Sequence, residues 1–199
     1  EDYLQNRKSY LENKDVRILF AELSQPMKYY FRNADADEVL FVHYGEGCLE
    51  TDFGPLNYEA GDYLIVPRGT VYRLLPQTKS QFLIIESFSE VRLPDKGMLG
   101  QHALFDPAVL KSPEPVSTPM PRGRYELKIQ RCGAITNVVY PFCPLNTVGW
   151  KGTLTVWQLN VRDIRPVLSD RYHLPPSAHS TFVAQNFVIC TFLPRPLEN

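Results

Sequence analysis

The sequence predicts an all-β fold organised around a barrel. Short apolar runs of strand length recur along the chain, and glycine- or proline-bearing turns separate them. The spacing Gly61-x5-Pro67-x-Gly69 puts two tight corners around one such run, Tyr63-Leu64-Ile65-Val66. No stretch keeps the apolar period of an amphipathic helix for longer than about two turns.

The strands follow in order. Val16 to Ala21 is the first expected strand, then Lys28 to Arg32. Glu38 to Tyr44 is the clearest, and it ends at Gly45-Glu46-Gly47, where glycine's access to positive φ eases a reversal. Cys48 to Asp52 continues beyond it until Phe53-Gly54-Pro55 breaks the run. Tyr63 to Val66 stops at Pro67, since proline suits the end of a strand better than its middle. Tyr72 to Leu75 and Gln81 to Phe88 complete the set, which assigns residues 1–90 to one barrel. Residues 91–124 carry Pro94, Pro107, Pro113, Pro115, Pro119 and Pro121, and are expected to form a long surface connection. Strands are expected again at Tyr125 to Gln130, Ala134 to Tyr140, Leu154 to Leu159 and Asn186 to Phe192, so that residues 125–199 form a second β-rich region.

Composition narrows the function classes. A chain of 199 residues with 44% hydrophobic and 22% charged residues fits an ordinary globule. Such a chain buries roughly 70% of its unfolded surface. A net charge of -1 offers no long-range attraction to a polyanion, which argues against nucleic-acid binding. No apolar run approaches the roughly 20 residues that span a bilayer. The sequence opens at Glu1-Asp2-Tyr3, with no initiator Met and no signal-type segment. Cys48, Cys132, Cys143 and Cys190 are too scattered for a zinc module and read as buried thiols in a reducing, cytoplasmic setting.

Gly61-Asp62-Tyr63-Leu64-Ile65-Val66-Pro67-Arg68-Gly69-Thr70-Val71-Tyr72 resembles the second motif of the cupin superfamily, G-x5-P-x-G-x2-H, with Tyr72 in place of the histidine. The resemblance implies a cupin/jelly-roll barrel followed by a partial second cupin region. A cupin's first motif, H-x-H-x3,4-E, supplies two more histidines and a glutamate, four positions in all from which a site such as the two-histidine, one-carboxylate type is drawn. Glu38 matches the glutamate, while the histidine positions fall on Phe31 and Asn33, or on Arg32 and Ala34 with the longer spacer. Tyr72 is expected to fill the space of the missing ligand and to satisfy an internal polar group with its hydroxyl. Glu38 is expected to turn inward and pair with Arg32 or Arg68. His43 is expected as a packed or edge histidine, although its strand position allows an inward ring. Asp35 and Asp37 lack the spacing of a calcium loop and are expected to shape a turn.

Longer segments narrow the resemblance. Tyr30 to His43, Gly61 to Arg73, Gly149 to Gly152, Leu159 to Pro166, Tyr172 to Phe182 and Asn186 to Pro196 resemble homogentisate 1,2-dioxygenases. That family implies two cupin-like barrels in a cytoplasmic homo-oligomer. It implies Fe(II) and O2 opening the ring of a hydroxylated phenylacetate, with homogentisate giving maleylacetoacetate in phenylalanine and tyrosine catabolism. It puts the iron ligands in the C-terminal barrel, downstream of the stretch matched by Pro194-Arg195-Pro196. This chain alone is therefore expected to hold no specific iron and to catalyse no ring opening. His173 matches a histidine thought to bind the substrate hydroxyl and assist its deprotonation, a role suited to an imidazole near neutral pH. His179 is the rival for that role, and either ring could instead fix the loop around Pro175-Pro176. Arg68, Arg73, Arg162 and Arg165 are expected in ion pairs, and Trp150 and Trp157 as core or interdomain anchors. Two alternatives stay open: a gentisate-like ring-cleaving dioxygenase, and a degenerate cupin that binds or supports without catalysis.

Overall fold

Neighbouring residues of three strands go to opposite sides. Leu40, Val42, Leu64, Val66, Phe82 and Ile84 enter one hydrophobic cluster, whereas Val39, Phe41, Tyr63, Ile65 and Ile85 enter a second. Side chains alternate along a strand, so an apolar run without polar interruptions means a sheet covered on both faces. The computed structural model describes residues 2–94, 104–116, 120–145, 152–168 and 174–194 and contains both covers.

After a one-turn helix α1 (Tyr3–Asn6), the first barrel strands are β1 (Lys8–Glu12), β2 (Val16–Leu23), β3 (Tyr30–Asn33), β4 (Asp37–Tyr44) and β5 (Gly47–Thr51). They continue as β6 (Gly54–Tyr58), β7 (Asp62–Val66), β8 (Val71–Pro76) and β9 (Ser80–Ser87). Beyond the proline-rich stretch come β10 (Tyr125–Arg131), β11 (Ala134–Tyr140), β12 (Trp157–Asn160), β13 (Ser180–Ala184) and β14 (Phe187–Cys190). Two six-stranded sheets result, in the orders β1-β2-β9-β4-β7-β12 and β11-β10-β3-β8-β5-β6. They form a cupin-like jelly roll, with the first cluster between them. β13 and β14 make a small separate sheet.

Strands from the two halves of the chain share these sheets. β10 lies parallel to β3, with Leu127 opposite Tyr30, and β12 runs antiparallel to β7, with Trp157 opposite Ile65. The proline-rich stretch does more than cross the surface: Val91, Leu104 and Phe105 are buried in the second cluster, against the outer face of the first sheet. Phe182, Leu159 and Ile164 from the later residues join them there.

Three strands lay outside the expected set. β6 contains Pro55, which the sequence reading takes as a break. β6 is the outermost strand of its sheet, where a residue without an N–H costs no ladder bond on its open side. β1 is exposed at all five positions and carries no alternation to reveal it. β13 follows Pro175 and Pro176 directly, after a single 3-10 turn at Pro176–His179.

Candidate functional site

Phe31, Asn33, Glu38 and Tyr72, the four positions at which a cupin would place metal ligands, converge inside the barrel. All four are buried. Sheet register explains the meeting, since Phe31 is paired with Tyr72 across β3 and β8, and Glu38 with Glu86 across β4 and β9. Their rings and carboxylates surround a cation that the sequence reading did not find, the guanidinium of Arg7. Arg7 Nη2 donates to Glu38 Oε1 at 2.6 Å and to Glu86 Oε1 at 2.7 Å. Its Cζ lies 5.4 Å from the ring centre of Phe31 and 5.6 Å from that of Tyr3, within cation–π range.

The remaining polar atoms complete the network. Tyr72 donates its hydroxyl proton to Glu38 Oε2 at 2.9 Å, so the expected packing role for Tyr72 holds. Glu86 Oε1 also accepts from Asn33 Nδ2 at 2.9 Å and Gln130 Nε2 at 3.2 Å, and its Oε2 accepts from Arg17 at 3.0 Å. Asn33 turns its own oxygen to the N–H groups of Asp35 and Ala36, closing the turn between β3 and β4. The expected pairing of Glu38 with Arg32 or Arg68 is corrected: its partner is Arg7, whose side chain leaves the end of the one-turn helix and is buried against Glu38.

Burial sets the electrostatics. Desolvation pushes the Glu38 carboxyl up, Arg7 pulls it back, and the neighbouring charge of Glu86 pushes it up again. Burial works against a charged guanidinium at Arg7, but Glu38, Tyr3, Tyr72 and Glu86 together outweigh it and hold the group protonated. Tyr72 lies well above the ordinary phenol range, first through burial and then through Glu38, so it stays a hydrogen-bond donor. This donor set does not fit iron. It contains two carboxylates and no imidazole, and each carboxylate oxygen already accepts a proton-bearing nitrogen or hydroxyl. Among the described residues no group of three or more histidines, cysteines and carboxylates is arranged to hold a metal.

The other candidates lie apart from this centre. His43 is exposed near the end of β4, beside a register shift, and does not enter the barrel. His179 is buried near the small third sheet, with its ring 4.8 Å from Phe192. His173 and Trp150 fall outside the described residues. Arg73 pairs with Glu50 at 2.6 Å between β8 and β5, and Arg162 with Glu59 at 2.9 Å outside the strands, while Arg68 is exposed and the Arg165 N–H donates to Leu104 O. They form no common anion site. Asp35 and Asp37 are backbone clamps: Asp35 accepts the N–H groups of Cys132 and Gly133, and Asp37 those of Arg68 and Val91. Cys143 is buried, whereas Cys132 is exposed in the β10–β11 turn, contrary to the expected burial of every thiol. Trp157 packs edge-on against Phe182 in the second cluster.

Asp62 extends the Gly61–Tyr72 motif into a second task. Its carboxylate accepts from Gln158 Nε2, Asn160 Nδ2 and the Glu59 N–H, and so fastens β12 to the edge of the first sheet.

A profile described as "Homogentisate 1,2-dioxygenase N-terminal" matches residues 6–161, the span that supplies every member of the Arg7 cluster except Tyr3. The chain belongs to the homogentisate 1,2-dioxygenase N-terminal family. A protein named "Putative dioxygenase" in Saccharolobus solfataricus is 34% identical over 98% of this chain and 51% of its own length. A homogentisate 1,2-dioxygenase of Rhizobium johnstonii is 27% identical over 78% of this chain and 35% of its own length. The chain thus spans about half the length of the first relative and about a third of the second. Among solved structures, a cupin-2 domain protein of Shewanella frigidimarina is 20% identical over 41% of this chain and 78% of its own, with a TM-score of 0.37. A salicylate 1,2-dioxygenase of Pseudaminobacter salicylatoxidans gives the same TM-score at 19% identity, over 41% of this chain and 25% of its own.

Proposed function

We propose that this chain is the N-terminal scaffold barrel of an Fe(II)-dependent dioxygenase that opens an aromatic ring. The substrate in this reading is homogentisate or a close hydroxylated phenylacetate. With homogentisate, both atoms of O2 enter the product maleylacetoacetate, in the catabolism of phenylalanine and tyrosine. The observation that carries the reading is the family match over residues 6–161. The donor set around Arg7 assigns no iron to this barrel, so the reading places the ligands in a further cupin region, toward which residues 125–199 lead. A cytoplasmic homo-oligomer belongs to the same proposal. His173 is kept in it as the group that handles the substrate's hydroxyl proton.

The test uses the full-length protein encoded by the gene, loaded with Fe(II) under anaerobic conditions and then given homogentisate and O2. Equal molar consumption of the two, with formation of maleylacetoacetate, is the expected result. Cleavage of gentisate in preference to homogentisate would move the substrate to the gentisate-like alternative. A second reading is a degenerate cupin without catalysis, favoured by the arginine that fills the barrel centre. It is selected if the loaded protein takes up no O2 with any hydroxylated aromatic acid.

A further inference from the structure

We infer that the barrel centre is a guanidinium-binding site, and that residues 2–7 serve as its tethered ligand. The barrel itself supplies the walls: the carboxylates of Glu38 and Glu86, the amides of Asn33 and Gln130 that fix Glu86, the hydroxyl of Tyr72 that fixes Glu38, and the face of Phe31. All of these stand on β3, β4, β8, β9 and β10. The cation comes from outside that set, on a one-turn helix joined to the wholly exposed strand β1.

Asp2 caps the helix of this segment and accepts from the Tyr29 hydroxyl at 2.7 Å and Lys128 Nζ at 3.2 Å, and the Leu4 N–H donates to Tyr29 Oη at 3.1 Å. Tyr3 and Arg7 are its deeply buried side chains.

The site's chemistry selects the class of cation. Two carboxylates on adjacent strands repel one another, and Arg17 is divided between Glu86 and the surface Glu12. Without Arg7, Tyr72 is the one side-chain donor left to Glu38 among the described residues. A metal ion would meet no imidazole there. An ammonium is strongly hydrated, whereas a guanidinium sheds water more readily and stacks on aromatic rings. Arg7 Nη1 is buried with no hydrogen-bond partner among the described residues, a condition a weakly hydrated group tolerates better.

The experiment is chemical rescue of Arg7→Ala in the whole chain. Loss of a buried partner is expected to lower the unfolding midpoint by roughly 10 °C. Guanidinium chloride at about 10 mM, far below denaturing concentrations, should restore at least about half of that loss relative to sodium chloride at equal ionic strength. It should leave the wild type unchanged, and Arg7→Ala with Glu38→Gln and Glu86→Gln should show no rescue. Ammonium chloride should not substitute. No rescue of folded Arg7→Ala, equal rescue of the triple variant, or rescue by Mn(II) or Zn(II) in place of guanidinium would each overturn the assignment. If Arg7→Ala gives no soluble protein, refolding yield with guanidinium against sodium decides the same question in the same way. Independently, wild-type nitrogen-15 spectra should show a slowly exchanging Arg7 guanidinium, distinct from exposed Arg68. A rapidly exchanging Arg7 would remove the tethered ligand.

Discussion

Glu38 and Glu86 face each other across paired strands and share a single nitrogen of Arg7, at 2.6 and 2.7 Å. The two carboxylates are not equivalent. Glu86 accepts from Arg7, Arg17, Asn33 and Gln130, whereas Glu38 accepts from Arg7 and Tyr72.

That inequality predicts an order of stabilities. Glu86→Gln removes the charge that two guanidinium groups and two amides share, and is expected to cost about 3–5 kcal/mol. Glu38→Gln should cost less, because burial already disfavours its charge. Urea midpoints of the two variants check the order, and an equal or reversed cost would contradict it.

Asp2 gives the N-terminal segment a pH response. Burial works to raise its carboxyl, but hydrogen bonds from Tyr29 and the Gln5 N–H, with Lys128 nearby, bring it below the ordinary value. A depressed folded value means stability that is present above the unfolded value and is lost as pH falls through the folded one. Asp2→Asn keeps a capping oxygen but removes the charge that Lys128 and Tyr29 meet, and is therefore expected to cost about 0.5 kcal/mol at pH 7. The gap to wild type should shrink as the pH is lowered toward about 3. Denaturation at the two pH values measures it.

Asp35 holds the β10–β11 turn, where Cys132 and Gly133 both have positive φ, 51° and 72°. Its oxygens accept their N–H groups at 2.6 and 2.9 Å. Asp35→Ala should cost about 2 kcal/mol through charge-assisted bonds. Hydrogen exchange at these two amides should speed up while β4 amides stay protected.

Two glycines of one motif separate backbone strain from crowding. Gly61 and Gly69 have φ of 94° and 88°, yet a Cβ on Gly69 meets nothing within 4 Å, while one on Gly61 would lie 3.0 Å from Val161 Cγ2. Gly69→Ala should cost about 1 kcal/mol, the lower end for left-handed backbone. Gly61→Ala should cost more and loosen β12, which thermal melts and Trp157 fluorescence would report.

Activity is tested at His173. In the full-length enzyme of the proposed function, His173→Ala should lower turnover by about 10² or more with iron occupancy kept, as for loss of a positioned acid or base. Unchanged turnover removes His173 from the mechanism, and lost iron assigns it a supporting role.

Much of this barrel was legible because its strands carry apolar runs bounded by Gly61, Pro67 and Gly69, and because ligand positions have fixed spacing. That spacing named Glu38 and Tyr72, with either Phe31 and Asn33 or Arg32 and Ala34 beside them, and Phe31 and Asn33 are the pair that meets them. It said nothing of what fills the space between them. Arg7 lies in the polar run Gln5-Asn6-Arg7-Lys8 and looks like any surface arginine. Glu86 did carry a signal, a lone charge inside Phe82-Leu83-Ile84-Ile85-Glu86, where an unpaired carboxylate could not stay buried. The strands β1 and β6 escaped because edge strands need neither alternation nor freedom from proline.

The latch at Asp62 also sets an order of events during synthesis. β7 and β3 remain open edges until β12 and β10 emerge from the ribosome, long after the first nine strands have been made. Arg7 must meanwhile find Glu86 across 79 positions of chain. Such distant pairings close slowly, and bare strand edges recruit other chains. A nascent polypeptide stalled before Asn160 would therefore be the form most prone to aggregate, and the one on which a chaperone would have the most to do.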